Sequence, residues 1–391
     1  MTSFSVGIPS VWDFIRQLEH SGLLPDEKLR ELRNDLELVG DTIRTEALAR
    51  RLVREGVLTP WQSEMLLSGR HTFHIGPYRL LDVVGRGGMG SVFLAEHNTG
   101  GYKVAIKVLS RRLADNPKVL AAFRREIEAA SRIRSRHVVR ALDSGIEDGR
   151  HYIVLEYVEG QNLSELLQQR GKFFVGEACE YVRQAALGLH DGHKLGLVHR
   201  DIKPGNLILT WDAKATPLIK ILDFGLARYV WELDKPLAQA EPDGRTMGTP
   251  DYMAPEQARQ NGLVDTRSDI FSLGCTLFRL LTGRFPFPGK TSKEKLVARQ
   301  KMDAPPPSQF VPSIPHQVDR IVQKMMARDP SRRYQTPMEV ARDLAPFSTA
   351  PTQSALLALQ SRSLYDADTT VDASAHETFS MELEARKAAG R

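Results

Sequence analysis

The sequence predicts an α+β protein: a small β-rich lobe, a larger helical lobe after it, and a helical segment ahead of both. Three observations predict it. Apolar residues recur at helical spacing through residues 1–70, with cap and turn residues between the runs. Alternating β-type segments begin at Tyr78, and helical patterns take over from Leu163 onward. Strands first and helices later is the order of an α+β domain.

In the leading segment Ser10 is placed to cap a helix carrying Trp12, Ile15 and Leu18 that ends near Gly22. Pro25 opens a second helix with Leu29, Leu32, Leu36 and Val39 on one face. Asp41 is the expected cap of a third, with Ile43, Ala47, Leu48 and Leu52, closing at Gly56. Thr59-Pro60 looks like an N-cap with Pro at the first helical position, ahead of Trp61, Met65 and Leu66. Two readings stay open for this segment: a bundle that packs on itself or on the next domain, and a recruitment or dimerisation module.

Strands are expected at residues 78–84, 91–96 and 104–109, a helix near 117–133, and further strands at 138–145 and 151–156. Past Pro346 the chain is rich in Ser, Thr, Ala and Gln, with few aromatics, and reads as disordered apart from a weak helix at 377–389. Within it, Thr369 and Thr370 sit between Asp368 and Asp372. A Thr in that setting, once phosphorylated, would suit a phosphothreonine-binding partner; a solvated tail is the plainer reading. The expected divisions are 1–72, 73–345 and 346–391.

The chemistry concentrates in His199-Arg200-Asp201-Ile202-Lys203-Pro204-Gly205-Asn206, followed by Asp223-Phe224-Gly225. This run combines an Asp that can take a proton, a Lys that can meet a phosphate, and two oxygen ligands for a metal, Asn206 and Asp223. Phosphoryl transfer needs such a set, because its catalysis is mostly positioning and charge stabilisation. The spacing matches H-R-D-L-x-x-x-N and D-F-G, with Ile202 in place of Leu. Gly85-Arg86-Gly87-Gly88-Met89-Gly90 lies between two expected strands. Glycines let the backbone approach phosphate oxygens. Alone the pattern is weak and would also fit a dinucleotide fold. That fold needs a strand-to-helix turn, whereas residues 91–96 read as a strand. Val104-Ala105-Ile106-Lys107 then matches V-A-I-K.

In this order the motifs resemble the protein kinases over about residues 78–344. The closest likeness is to bacterial Hanks-type serine/threonine kinases, through Arg86-Gly87-Gly88-Met89-Gly90, the 199–206 run, and Gly248-Thr249-Pro250-Asp251-Tyr252-Met253-Ala254-Pro255-Glu256. The resemblance implies a bilobal protein-kinase fold. It also implies ATP as phosphoryl donor with Mg²⁺ (Mn²⁺ being the alternative), and Ser/Thr hydroxyls of protein substrates as acceptors.

By that resemblance Gly85, Gly87, Gly88 and Gly90 cover the nucleotide phosphates, and Val92 and Ala105 pack on the base. Lys107 meets the α/β-phosphates and pairs with Glu126; Glu128 competes for that role but lies about 200° further round the helix. Backbone groups of Glu156 and Val158 hold adenine, behind Leu155 as gatekeeper. Asp201 accepts or orients the substrate proton, Lys203 neutralises the migrating group, and Asn206 and Asp223 hold the metal. Lys203 also points to Ser/Thr acceptors, since tyrosine kinases usually carry an Arg-containing loop. Thr249 bonds to Asp201 and Lys203. Arg200 implies a loop ordered by phosphate, and Thr246 and Tyr229 are the hydroxyl side chains between Phe224 and Gly248. Thr246 is therefore the candidate for activating autophosphorylation. Asp269 holds the catalytic loop from below, and Glu256 pairs with Arg333, with Arg332 still open.

Two stretches depart from the family pattern: 207–221 is longer than a tight hairpin needs, and 233–245 is a polar insertion. Many relatives add a membrane span and sensor domains after the kinase, and neither is evident in these 391 residues. A pseudokinase would be expected to lack Lys107, Asp201 or Asp223, all of which are present. A small-molecule phosphotransferase would not need the 248–256 substrate segment.

Composition agrees. The 41% hydrophobic and 26% charged fractions are ordinary for a soluble globular protein. No run of apolar residues is long enough for a membrane span, and no signal-peptide pattern opens the chain. Cys179 and Cys275 sit in apolar helical segments, read as reduced core residues, and suggest a cytoplasmic protein. The net charge of +5 is uneven: residues 1–72 and 345–391 each carry −2, leaving the middle at +9. A phosphate-handling site accounts for such a surplus. Nucleic acid is not expected as a partner, because no tight basic run or aromatic stacking motif accompanies the charge.

Overall fold

The computed structural model describes residues 9–39, 43–87, 90–224, 251–257 and 264–350. Expectations at Asp41, Gly88, Gly225, Thr246, Thr249, the 233–245 insertion and the tail beyond residue 350 lie outside the described residues, as does the Glu126 side chain. The chain forms two compact units. Among the described residues, one contains those up to Val108 together with Gly145–Tyr152; the other contains Leu109–Ser144 and those from 153 to 350.

The first unit begins with four helices, α1 (Val11–Ser21), α2 (Asp26–Val39), α3 (Thr45–Arg54) and α4 (Pro60–Leu67). Ser10 caps α1 by accepting the Asp13 amide, and Gly22 closes it at φ 64° in the left-handed region. Phe14, Ile15, Leu18, Leu48 and Leu66 are fully buried in the bundle core. Trp12, expected inside, is 40% exposed, and Phe14 takes the inward place. Phe14, Ile15 and Leu18 share one arc of the helix at 100° per residue, and Trp12 lies outside it. The third helix starts at Thr45, later than Asp41 would have placed it, after Arg44, which makes no side-chain cap bond. At α4 the expected cap is present as a reciprocal capping box between Thr59 and Gln62, with Pro60 opening the helix.

A six-stranded sheet follows, made of β1 (His74–Ile75), β2 (Tyr78–Gly87), β3 (Gly90–His97), β4 (Lys103–Leu109), β5 (Ala141–Glu147) and β6 (Arg150–Glu156), in the order β1-β2-β3-β4-β6-β5. Strands β2 and β3 are antiparallel, from Tyr78 opposite His97 to Gly87 opposite Gly90. The register shifts between Leu80 and Asp82 and between Val83 and Gly85. The bundle packs on this hairpin as well as on itself. Thr59 Oγ1 donates to the Leu81 carbonyl at 2.5 Å and Gln62 Nε2 to the Leu80 carbonyl at 2.6 Å. The Trp61 ring meets Phe73 and Phe93, with centroids 5.7 and 5.8 Å away.

The second unit is helical around α8 (Val175–His193) and α9 (Arg267–Thr282). Before them come α5 (Arg111–Ala114), α6 (Pro117–Ser131) and α7 (Leu163–Arg170); after them come α10 (Ser292–Lys301), α11 (His316–Met325) and α12 (Pro337–Leu344). Nearly every residue of α9 is buried, the mark of a core helix. Both cysteines are buried, and burial pushes each thiol up to about 12, so neither is a nucleophile at neutral pH. The strand expected from Val138 starts at Ala141; Val138 instead bridges to Ile221. The long 207–221 stretch is a hairpin of β8 (Leu207–Trp211) and β9 (Pro217–Ile221), paired with β7 (Gln161–Asn162) in a small sheet. Asp212 orders its turn by accepting the amides of Lys214 and Thr216, each at 2.9 Å. Among the described residues no helix is long and apolar enough to cross a membrane.

A buried ion pair ties the end of this unit to its core. Arg333 grips Glu256 with two bonds, of 2.6 and 2.8 Å, and Ser268 adds a third at 2.8 Å. Arg332 is exposed, so Arg333 is the partner. Burial works to raise the Glu256 carboxyl, but the Arg333 guanidinium outweighs it and holds the group below its usual 4.5. Removing one member strands a buried charge. Arg333→Met is expected to cost about 3–5 kcal/mol of unfolding free energy, read by denaturant titration; a loss under about 1 kcal/mol would mean the pair is solvent-screened. Because the folded value is depressed, the stabilisation is present above pH 4.5 and is lost as pH falls through the folded value. The stability gap between the wild type and Glu256→Gln should therefore be wide at neutral pH and narrow below pH 4.5. A gap that does not change with pH would contradict this.

Candidate active site

In the second unit the site is built on a buried carboxylate. Asp269, on α9, is fully buried and accepts the backbone amides of His199 at 2.8 Å and Arg200 at 2.7 Å. His193 Nε2 donates to it at 2.8 Å. Burial works to raise the Asp269 carboxyl, but the hydrogen bond from His193 and the neighbouring His199 outweigh it and keep it below the usual carboxylate range. The carboxylate thus stays charged and fixes the start of the 199–206 loop. Arg200 has φ 69°, a left-handed conformation unfavourable for a side chain with a Cβ.

His199 links the loop to the next motif. Its Nδ1 accepts the Asp201 amide at 3.2 Å, so the proton is on Nε2, which donates to the Leu222 carbonyl at 2.7 Å. The ring of Phe224 stands edge-on to His199, centroids 5.3 Å apart. Helix α8 makes room for both segments with two glycines one turn apart. A Cβ on Gly188 would meet the His137 carbonyl at 2.8 Å and Ile221 at 2.9 Å, and one on Gly192 would collide with the Phe224 ring. Asp223 has φ 54°.

The reactive groups converge on Asp201. Lys203 Nζ lies 2.7 Å from Asp201 Oδ2, and Asn206 Nδ2 donates to the same oxygen at 3.1 Å and to the Asp201 carbonyl at 2.6 Å. The amide nitrogen of Asn206 is thereby committed, leaving its oxygen as the donor for a cation. The Leu222 amide donates to the Asn206 carbonyl at 2.9 Å, so Asp223 follows directly on the residue bonded to Asn206. Carboxamide and carboxylate oxygens are hard donors of the kind Mg²⁺ takes, and it is usually held by one or two carboxylates plus substrate phosphates. No larger cluster of His, Cys, Asp and Glu suited to a metal occurs among the described residues. The residues present therefore fit the expected ion.

The segment leading to Glu256 is held by residues that the sequence does not single out. Gln257 accepts the Ala254 amide at 2.8 Å and donates to the Arg200 carbonyl at 3.1 Å. From α10, Lys295 reaches Asp251 at 2.6 Å, and the buried Arg299 donates to the Met253 carbonyl. His193, Gln257 and Arg299 belong to no motif. Only the pairing across distant segments reveals them.

In the first unit Gly85 stands opposite Val92 and Gly87 opposite Gly90, so the glycines close the β2–β3 hairpin. On β4, Val104 and Ile106 are fully buried; Ala105 and Lys107 share the other face, and Lys107 is 7% exposed. At the end of β6, in the second unit, the Glu156 amide donates to the Arg140 carbonyl at 2.9 Å. Its carboxylate is held by Lys220 at 2.6 Å. Leu155 is buried and Val158 half-buried.

The protein kinase domain family matches residues 78–344. A probable serine/threonine-protein kinase PknB of Bifidobacterium longum is 37% identical over 282 residues, covering 70% of this chain and 40% of that protein. The serine/threonine-protein kinase PrkC of Bacillus subtilis is 36% identical over 269 residues, covering 69% and 40%. The chain thus spans about two fifths of the length of these relatives. Among solved structures, the Mycobacterium tuberculosis PknI kinase domain is similar with a TM-score of 0.55 at 27% identity, over 70% of this chain and 98% of that one. Rad53 in complex with AMP-PNP gives 0.57 at 25% identity, over 70% and 66%. With well over half of its length matched, and the motifs of that match placed in a β-sheet lobe and a helical lobe, this chain belongs to the protein kinase domain family.

Proposed function

We propose that this chain is an ATP-dependent protein serine/threonine kinase, moving the γ-phosphate of ATP to Ser or Thr hydroxyls of protein substrates. The observation that carries the reading is the convergence of Lys203 and Asn206 on Asp201 Oδ2, at 2.7 and 3.1 Å. A carboxylate held in this way has one oxygen engaged and the other available to orient an incoming hydroxyl and take its proton. Lys203 places a positive charge where the migrating group gains negative charge. Lys107 on β4 would bind the α/β-phosphates with Glu126 as its partner, beneath Gly85, Gly87, Gly88 and Gly90. Val92 and Ala105 would pack on the base, with Glu156 and Val158 at its edge. Asn206 and Asp223 would hold Mg²⁺, or Mn²⁺, which when bound neutralises phosphate charge.

The match to PknB and PrkC, both named serine/threonine kinases, supports the acceptor class. Thr249 would close the site from the substrate side. A phosphate on Thr246 would bring about −1.5 to −2 charges to Arg200 and order the loop. Residues 1–72 would act as a regulatory or interaction segment, with dimerisation as one route. Residues 73–345 would form the kinase domain, and 346–391 a tail open to phosphothreonine-binding partners. A cytoplasmic location accords with two buried, unpaired thiols.

Asp201→Asn is expected to lower phosphoryl transfer by about 10²–10⁴-fold while nucleotide binding persists, measured with labelled ATP and Mg²⁺. Equal transfer by wild type and variant would overturn the assignment. Phosphosite mapping after incubation with ATP should place phosphate on Ser and Thr, Thr246 among them. Thr246→Ala should respond less to ATP pretreatment; an unchanged response would remove the switch.

A further inference from the structure

We propose that Thr59 and Gln62, at the start of α4, are positioning residues for the glycine-rich hairpin; the inference rests on the assignment of that hairpin to the nucleotide phosphates. The β2 strand that leads into Gly85 and Gly87 is irregular where it most needs support. Its register against β3 shifts on either side of Leu81 and again at Val84, so β3 does not pair with those two residues. The Leu81 carbonyl is met by the Thr59 hydroxyl at 2.5 Å, and the Leu80 carbonyl by the Gln62 amide at 2.6 Å. Gln62 is 2% exposed.

Both side chains also form the cap of α4. Thr59 Oγ1 accepts the Gln62 amide at 3.1 Å, and Gln62 Oε1 accepts the Thr59 amide at 2.9 Å. The acceptor atoms serve the helix and the donor atoms serve the strand. A third contact comes from Trp61 on Phe93, which lies opposite Val83 and next to Val92. At the end of β2 a Cβ on Gly87 would meet nothing within 4 Å, so no neighbour packs against the strand there. Upstream of it, β2 is held by α4 through the Leu80 and Leu81 carbonyls. Ordering a loose stem when the phosphates bind would cost entropy that the held stem avoids.

The test separates cap from brace in the full chain. Thr59→Asp and Gln62→Glu keep the cap acceptors favoured at these positions but remove both donors to β2. Without nucleotide, amide hydrogen exchange across residues 79–94 should rise about tenfold, with α1–α3 as protected as in the wild type. The KM for ATP should rise about fivefold, with kcat within about twofold. Thr59→Ser, which retains donor and acceptor, should restore the wild-type values. Unchanged exchange and KM would overturn the proposal, as would loss of protection throughout α1–α3, which would indicate a merely structural role. The exchange arm needs no activity. A wild-type chain that transfers no phosphate would therefore refute the kinase reading while the brace was still decided by exchange.

Discussion

The 199–206 loop, the proposed catalytic loop, is suspended from the Asp269 carboxylate. A charge with no exposure is tolerated only when donors replace the lost water, and Asp269 has three: the His193 ring and the amides of His199 and Arg200. Those two amides hold Arg200 at φ 69°, a conformation of the sort that costs about 1–3 kcal/mol and persists only where its surroundings impose it. From there the order is relayed by contact. His199 reaches the Leu222 carbonyl, Leu222 reaches Asn206, and the Phe224 ring rests on His199. The reactive side chains are thus placed by backbone bonds one or two residues away.

A similar economy of parts appears in the first unit. The bundle has its own core, with Phe14, Ile15, Leu18, Leu48 and Leu66 among its buried residues. Its attachment to β2 is polar and local, through Thr59 and Gln62, with Trp61 as the apolar contact. An attachment of that kind fixes a particular register, because displaced donors would miss the Leu80 and Leu81 carbonyls.

Much of this was legible in the sequence, for identifiable reasons. The Thr59-Pro60 cap could be read because capping is local chemistry, and the 199–206 run because its residues lie close in the chain. Arg333 could not be separated from Arg332 by spacing; burial at the end of a short 3₁₀ turn selects between them. Trp12 was read with Ile15 and Leu18 by its helical spacing, but the buried face is set by Phe14, Ile15 and Leu18 together. His193, Gln257 and Arg299 could not be read at all. Each acts on a segment dozens of positions away, and an isolated polar residue on a helix carries no sign of such a partner. The 207–221 stretch looked unusual only because the ordering of its turn by Asp212 is a property of geometry rather than of composition.

The paired glycines of α8 carry a further consequence for selection. Glycine within a helix is less favourable than alanine by up to about 1 kcal/mol, so Gly188 and Gly192 weaken α8 on helix propensity alone. Yet the space beside them is taken by the His137 carbonyl, Ile221 and the Phe224 ring. Any search for a hardier protein that scores helices by propensity would choose alanine at both positions. The change at Gly192 would evict the aromatic ring beside the proposed metal ligand, and the one at Gly188 would press on the His137 carbonyl and Ile221. Close approach at these two positions is therefore maintained against the gradient of helix propensity, because the clash a methyl group would bring outweighs what it would add to the helix.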